Sequence, residues 1–62
     1  MTVEIKGLGK ITASKEVLNI LSSYAWEASN SYEERGRNQL SINAYKMANT
    51  IYDELERNGY YK

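Results

Sequence analysis

The stretch KGLGKITAS, residues 6–14, sets two glycines, a lysine and a threonine in the order a phosphate-cradling loop would use. Such a loop needs G-x-x-x-x-G-K followed by Ser or Thr, between a buried parallel strand and a helix start. Here Gly9-Lys10 is followed by Ile11, with Thr12 one place late, and the position five before Gly9 holds Glu4, whose charge repels phosphate. The helix start falls at Ser14, too far from Gly9 for its dipole to act on a ligand there. The stretch therefore reads as a hairpin turn followed by a helix cap. Arg35-Gly36-Arg37 could clamp a carboxylate or phosphate, or could simply neutralise a helix end and the acids Glu33 and Glu34. Asp53 and Glu56 could be a carboxylate pair for proton transfer or a metal, but nothing in the surrounding pattern desolvates them. Cysteine and histidine are both absent. That removes disulfides, thiolate chemistry, the usual zinc sites and the commonest general base near neutral pH. The chain reads as non-enzymatic, with no cofactor.

A chain of 62 residues is one domain at the size where a single core is marginal. With no disulfide or metal, well-packed helices or a second copy must supply the stability. Eight basic and eight acidic side chains cancel, which leaves no electrostatic footprint for a nucleic-acid backbone or an anionic membrane. No apolar run approaches the ~20 residues of a membrane span, and no signal-peptide core follows Met1. These features suggest an intact intracellular, cytoplasmic protein.

The elements follow from periodicity. Residues 2–6 alternate with Val3 and Ile5 on one side, and residues 10–13 with Ile11 and Ala13 on one side. A three-residue loop, Gly7-Leu8-Gly9, would pair Lys6 with Lys10, Ile5 with Ile11 and Val3 with Ala13, with Gly9 in the left-handed position. From Lys15 the apolar period becomes helical, and Ser14 is the expected N-cap. The stripe on this helix is Val17, Leu18, Leu21, Tyr24, Ala25, Ala28 and Tyr32, and Gly36 should stop it. A second stripe, Leu40, Ala44, Met47, Ala48, Ile51 and Leu55, ends at Gly59, where Tyr60 should touch Leu55. The predicted fold class is α+β: a β-hairpin over 2–13, helix 15–35 and helix 39–58 in an antiparallel pair, as a single domain that dimerises.

Several positions do not fit a simple core. Trp26 lies across the wheel from Val17, Leu21 and Ala28, among Asn19, Ser22, Ser23, Asn30 and Glu33. A tryptophan there marks an interface, or a place covered by the hairpin or the C-terminal tail. Ile42, Tyr45 and Tyr52 form a second apolar side on the second helix, which could meet Val3, Ile5 and Ile11 or a separate molecule. Six tyrosines and no phenylalanine favour exposed aromatic work over a dry core. Asp53 can pair with Arg57 at i,i+4, and the acidic end with Glu56 should lie near Lys10 and Lys15 or face a basic partner. The candidate contact residues are thus Trp26, Ile42, Tyr45, Tyr52, Asp53 and Glu56.

The ending YKMANTIYDELERNGYYK resembles the tails of short accessory proteins encoded by bacteriophages and prophages, in which A-x-x-I-Y-x-x-L closes on Gly-Tyr or Gly-Phe. Ala48, Ile51, Tyr52, Leu55, Gly59 and Tyr60 carry the resemblance, which covers the C-terminal third of the chain. It implies a small viral protein, at work in the cytoplasm of a bacterial host, that binds and disables a host enzyme or defence component. The expected activity is contact-based inhibition or modulation of a host protein by a homodimer. Two alternatives remain beside it. A ribbon-helix-helix-like DNA-binding regulator would read bases through Lys6 and Lys10. A dimer seam could instead sequester a nucleotide-like ligand between tyrosines, Arg35 and Arg37.

Overall fold

A computed structural model describes every residue, Met1–Lys62. Strands β1 (Thr2–Ile5) and β2 (Gly9–Thr12) form an antiparallel hairpin, followed by helices α1 (Lys15–Glu34) and α2 (Asn38–Arg57) packed against each other. The order matches the expected α+β class, with helix ends moved by one residue.

The strand register differs from the expected one. Val3 lies opposite Ile11, Glu4 opposite Lys10 and Ile5 opposite Gly9. The loop is still three residues long, but it is Lys6-Gly7-Leu8, closed by the Leu8 N–H donating to the Ile5 carbonyl at 2.9 Å. Gly7, at φ 82°, is the residue that needs left-handed backbone in this turn. Alternation alone cannot separate these two registers, because a shift of two keeps every side chain on its face. The outer face decides. The observed pairing sets Glu4 against Lys10 instead of Lys6 against Lys10, and brings the Thr2 and Thr12 hydroxyls to 2.8 Å.

Both helices end alike. Beyond α1, the Arg37 and Gly36 N–H groups donate to Tyr32 and Glu33, with Gly36 at φ 72°. Beyond α2, Tyr60 and Gly59 donate to Leu55 and Glu56 in the same way, and the Tyr60 ring packs on the core that holds Leu55. These are two Schellman endings, as the glycine spacing requires. At the other end of α1, Ser14 Oγ accepts from the Val17 N–H at 3.1 Å, as its N-cap role demands.

The core is Val3, Ile5, Leu18, Ile51 and Leu55, each at most 2% exposed. Each such side chain stabilises the fold by about 1.5–3 kcal/mol relative to exposure. Met1, Ile11, Ala13, Leu21 and Met47 complete it from the sides. The β-hairpin therefore caps one broad side of the helical pair, near the N-terminus of α1 and the C-terminus of α2.

The buried positions of the helices follow the expected apolar stripes only in part: Leu18, Ala25, Ala48, Ile51 and Leu55 are buried as expected. The buried residues of α1 are Leu18, Ser22, Ala25 and Ser29, and those of α2 are Ser41, Ala48, Ile51 and Leu55. Val17, Tyr24 and Leu40, expected inside, are exposed. Three serines take inner positions because small side chains let the two backbones approach closely. Their hydroxyls are satisfied across the gap. Ser41 Oγ donates to the Ser29 carbonyl at 2.9 Å, Ser29 Oγ sits 3.3 Å from Ser41 Oγ, and Ser22 Oγ reaches the Ala48 carbonyl at 3.5 Å. No buried polar side-chain atom is left without a hydrogen-bonding partner.

Candidate functional site

The side of the helical pair away from the hairpin carries the unusual residues. On α1, Asn19, Trp26 and Glu33 succeed one another at seven-residue spacing and form one wall. On α2, Ile42, Tyr45, Asn49 and Tyr52 form the other wall. Between them runs the serine-lined seam. The Trp26 and Tyr45 rings meet across it with centroids 5.2 Å apart and planes tilted by 38°, making a ridge in the middle of the face. On one side of this ridge lies a groove of about 330 Å³ lined by Ser22, Ser23, Trp26, Ala48, Asn49 and Tyr52. On the other side lies one of about 430 Å³ lined by Ser29, Glu33, Asn38, Ser41, Ile42 and Tyr45.

The C-terminal tail borders the first groove. Tyr61 stacks on Tyr52 with centroids at 5.0 Å and donates its hydroxyl to Asn19 Oδ1 at 2.6 Å. Tyr60 meets the Tyr61 ring edge-on at 5.2 Å. Burial among these neighbours pushes the Tyr61 phenol above its ordinary 10.0, and the nearby Tyr52, Tyr60 and Glu56 raise it further.

Trp26 departs from the sequence expectation in its surroundings. It lies beside the seam, not diametrically opposite the packed side, because the seam passes through Ser22 and Ser29. Its ring contact is with Tyr45 of α2 and not with the hairpin or the tail. Trp26 remains 48% exposed, Tyr45 49%, Tyr52 46% and Ile42 55%. The alternative use of Ile42, Tyr45 and Tyr52 against Val3, Ile5 and Ile11 is not adopted, since the hairpin packs on the opposite side, over Leu21 and Met47. A tryptophan, two tyrosines and an isoleucine are thus gathered on one surface.

Asp53 and Glu56 are exposed at the end of this face and share a shallow depression with Arg57. The expected Asp53–Arg57 pair is not formed. Arg57 turns to Glu54, one residue nearer, at 3.1 Å, and this is the molecule's only ion pair. Lys10 and Lys15 do not reach the acidic end either, because Lys10 is held across from Glu4 on the outer side of the hairpin. Arg35 and Arg37 are likewise free of ion-pair partners. No three acidic side chains gather in a cluster.

The serine floor and the tail are the parts that hydropathy missed. Serines at 22, 29 and 41 carry a signal of size, since 22 and 29 are one heptad apart and 41 and 48 are another. For the DNA alternative, β1 pairs with β2 of its own chain, so this strand pair is not a ribbon shared between subunits. No helix is long and apolar enough to cross a membrane. No family model, curated protein or solved structure matches this chain.

Proposed function

We propose that this chain is a small non-enzymatic protein-binding module that works by burying its open face against another polypeptide. The observation that carries this is the gathering of Trp26, Ile42, Tyr45 and Tyr52, each about half exposed, over a seam of small side chains. Aromatic residues above a firm, fully hydrogen-bonded floor have the make-up of binding hot spots, where a few large side chains dominate the energy. Uncompensated Asp53 and Glu56 at one end would steer a basic surface toward the face and speed association more than they tighten it. Together with the phage-like tail, this supports contact-based modulation of a host protein in a bacterial cytoplasm.

The test is capture from bacterial lysate on immobilised wild-type chain, with Trp26→Ala run beside it and both confirmed folded by circular dichroism. Wild type should retain a host protein in near-equal amounts, and Trp26→Ala should lose it. Retention of the same proteins by both chains would refute the assignment of this face.

A further inference from the structure

Lys15 and Glu33 near opposite ends of α1, and Asp53 and Glu56 near the end of α2, lie on or beside the open face without an ion-pair partner in their own chain. Lys15 is seven residues before Ser22, so it extends the floor strip, while Glu33 lines the second groove. Their spacing along α1 is about 27 Å at 1.5 Å per residue. The face also alternates ridge and groove: Tyr52 with Tyr61, then a groove, then Trp26 with Tyr45, then a second groove. We infer that the polypeptide which covers this face is a second copy of the same chain, turned antiparallel.

The register is set by counting. Consider a two-fold axis lying across the face at the level of Tyr24 on α1. It brings Lys15 onto the partner's Glu33, and Glu33 onto the partner's Lys15. The same axis sets Trp26 over the partner's Ser22, which is the floor of the 330 Å³ groove. Each ridge then enters the other copy's groove. On α2 the level follows from the seam, where Ser22 meets Ala48 and Ser29 meets Ser41, so the axis crosses near Lys46. It then places Glu56 at the partner's Gly36, beside the partner's Arg37. One rotation therefore satisfies the aromatic fit and both charge pairings, each of them twice, as an isologous interface demands. A parallel arrangement would also pair charges, setting Lys15 near Glu56 of the partner subunit and Glu33 near Arg37 of the partner subunit. But it would drive Trp26 onto Tyr45 of the partner subunit, ridge against ridge, so the aromatic fit selects the antiparallel turn.

The size is suitable too. The molecule measures 35 × 22 × 15 Å, so its broad side is on the order of the ~800 Å² per partner in a standard interface. The aromatic ridges would provide the affinity, while the rim charges mainly select the register. The product is a four-helix layer with one β-hairpin on each outer side.

This inference rests on the reading of the face as a protein-binding surface, and the experiment keeps the two apart. Sedimentation velocity of the pure chain should show a species of twice 7.1 kDa as concentration rises. Trp26→Ala, folded by circular dichroism, should remain monomeric. Lys15→Glu and Glu33→Lys should each weaken the dimer by about tenfold, because each sets like charges together at both ends. An equimolar mixture of those two variants should recover wild-type association, since only the mixed pair restores opposite charges at both contacts. A chain that stays at 7.1 kDa into the millimolar range overturns the inference. So does an open series of larger oligomers, or a dimer that neither charge variant weakens. A monomer whose host capture still depends on Trp26 would leave the proposed function standing. A dimer whose capture ignores Trp26 would leave only this inference.

Discussion

The two broad sides of the helical pair are built from opposite materials. One is covered by the β-hairpin and encloses aliphatic side chains that are essentially dry. The other has a floor of hydroxyls and walls of half-exposed aromatics. The same two helices serve both, and adjacent residues divide between them: Ile51 is buried under the hairpin while Tyr52 stands open next to it. With 62 residues, one small hairpin is enough to cover one side only. The difference teaches that folding and recognition are separated here by helix face, not by stretch of sequence.

That separation can be broken most directly at the adjacent pair. Ile51→Ala should cost about 2–5 kcal/mol, enough to leave so small a domain largely unfolded, as urea denaturation followed by circular dichroism would report. Tyr52→Ala, one residue along, should cost no more than about 1 kcal/mol, chiefly the stacking on Tyr61. Comparable losses at the two positions would end the contrast between the sides. The seam that joins them offers an intermediate effect. Ser29→Leu inserts bulk where the two helices are hydrogen-bonded to each other and displaces the Ser41 hydrogen bonds. It should lower stability by about 1–3 kcal/mol, with melting temperature as the readout. A neutral result would mean that the serines do not set the helix separation.

The smallest expected effect belongs to the tail. Because the Tyr61 phenol is raised above its unfolded value of 10.0 in the fold, its stabilising contribution is complete below pH ~10 and disappears as pH climbs through the folded value. Ionisation also removes the donor to Asn19. Wild type should therefore loosen its tail above pH ~10, seen in amide exchange of residues 60–62, while Tyr61→Phe should show no such step and a slightly looser tail at neutral pH.

The elements were legible in the sequence because their signals are local. Ser14, Gly36 and Gly59 mark helix ends through backbone requirements, and Val3, Ile5 and Ile11 declare a strand face by alternation. The strand register was not legible from that alternation, since the choice lay with Thr2, Thr12, Glu4 and Lys10 on the other side of the ribbon. The helix seam was legible on α2, through Ala48, Ile51 and Leu55, and only in part on α1, for a different reason. Hydropathy favours Val17 and Tyr24, whereas close helix approach favours Ser22 and Ser29, and side-chain volume outweighed polarity once every hydroxyl had an acceptor. Trp26, Ile42, Tyr45 and Tyr52 stood out as candidates from type and spacing. Their meeting as a ridge between two grooves depends on the rotation of both helices, which a single wheel does not contain.

The core joins Val3 and Ile5 to Ile51 and Leu55, so the first strand is sealed by the last turns of the last helix. That contact joins residues far apart in the chain, so the entropy of closing so long a loop must be met before the strand gains any dry side. The hairpin can pair its own hydrogen bonds locally, yet its apolar face waits for both helices to come together.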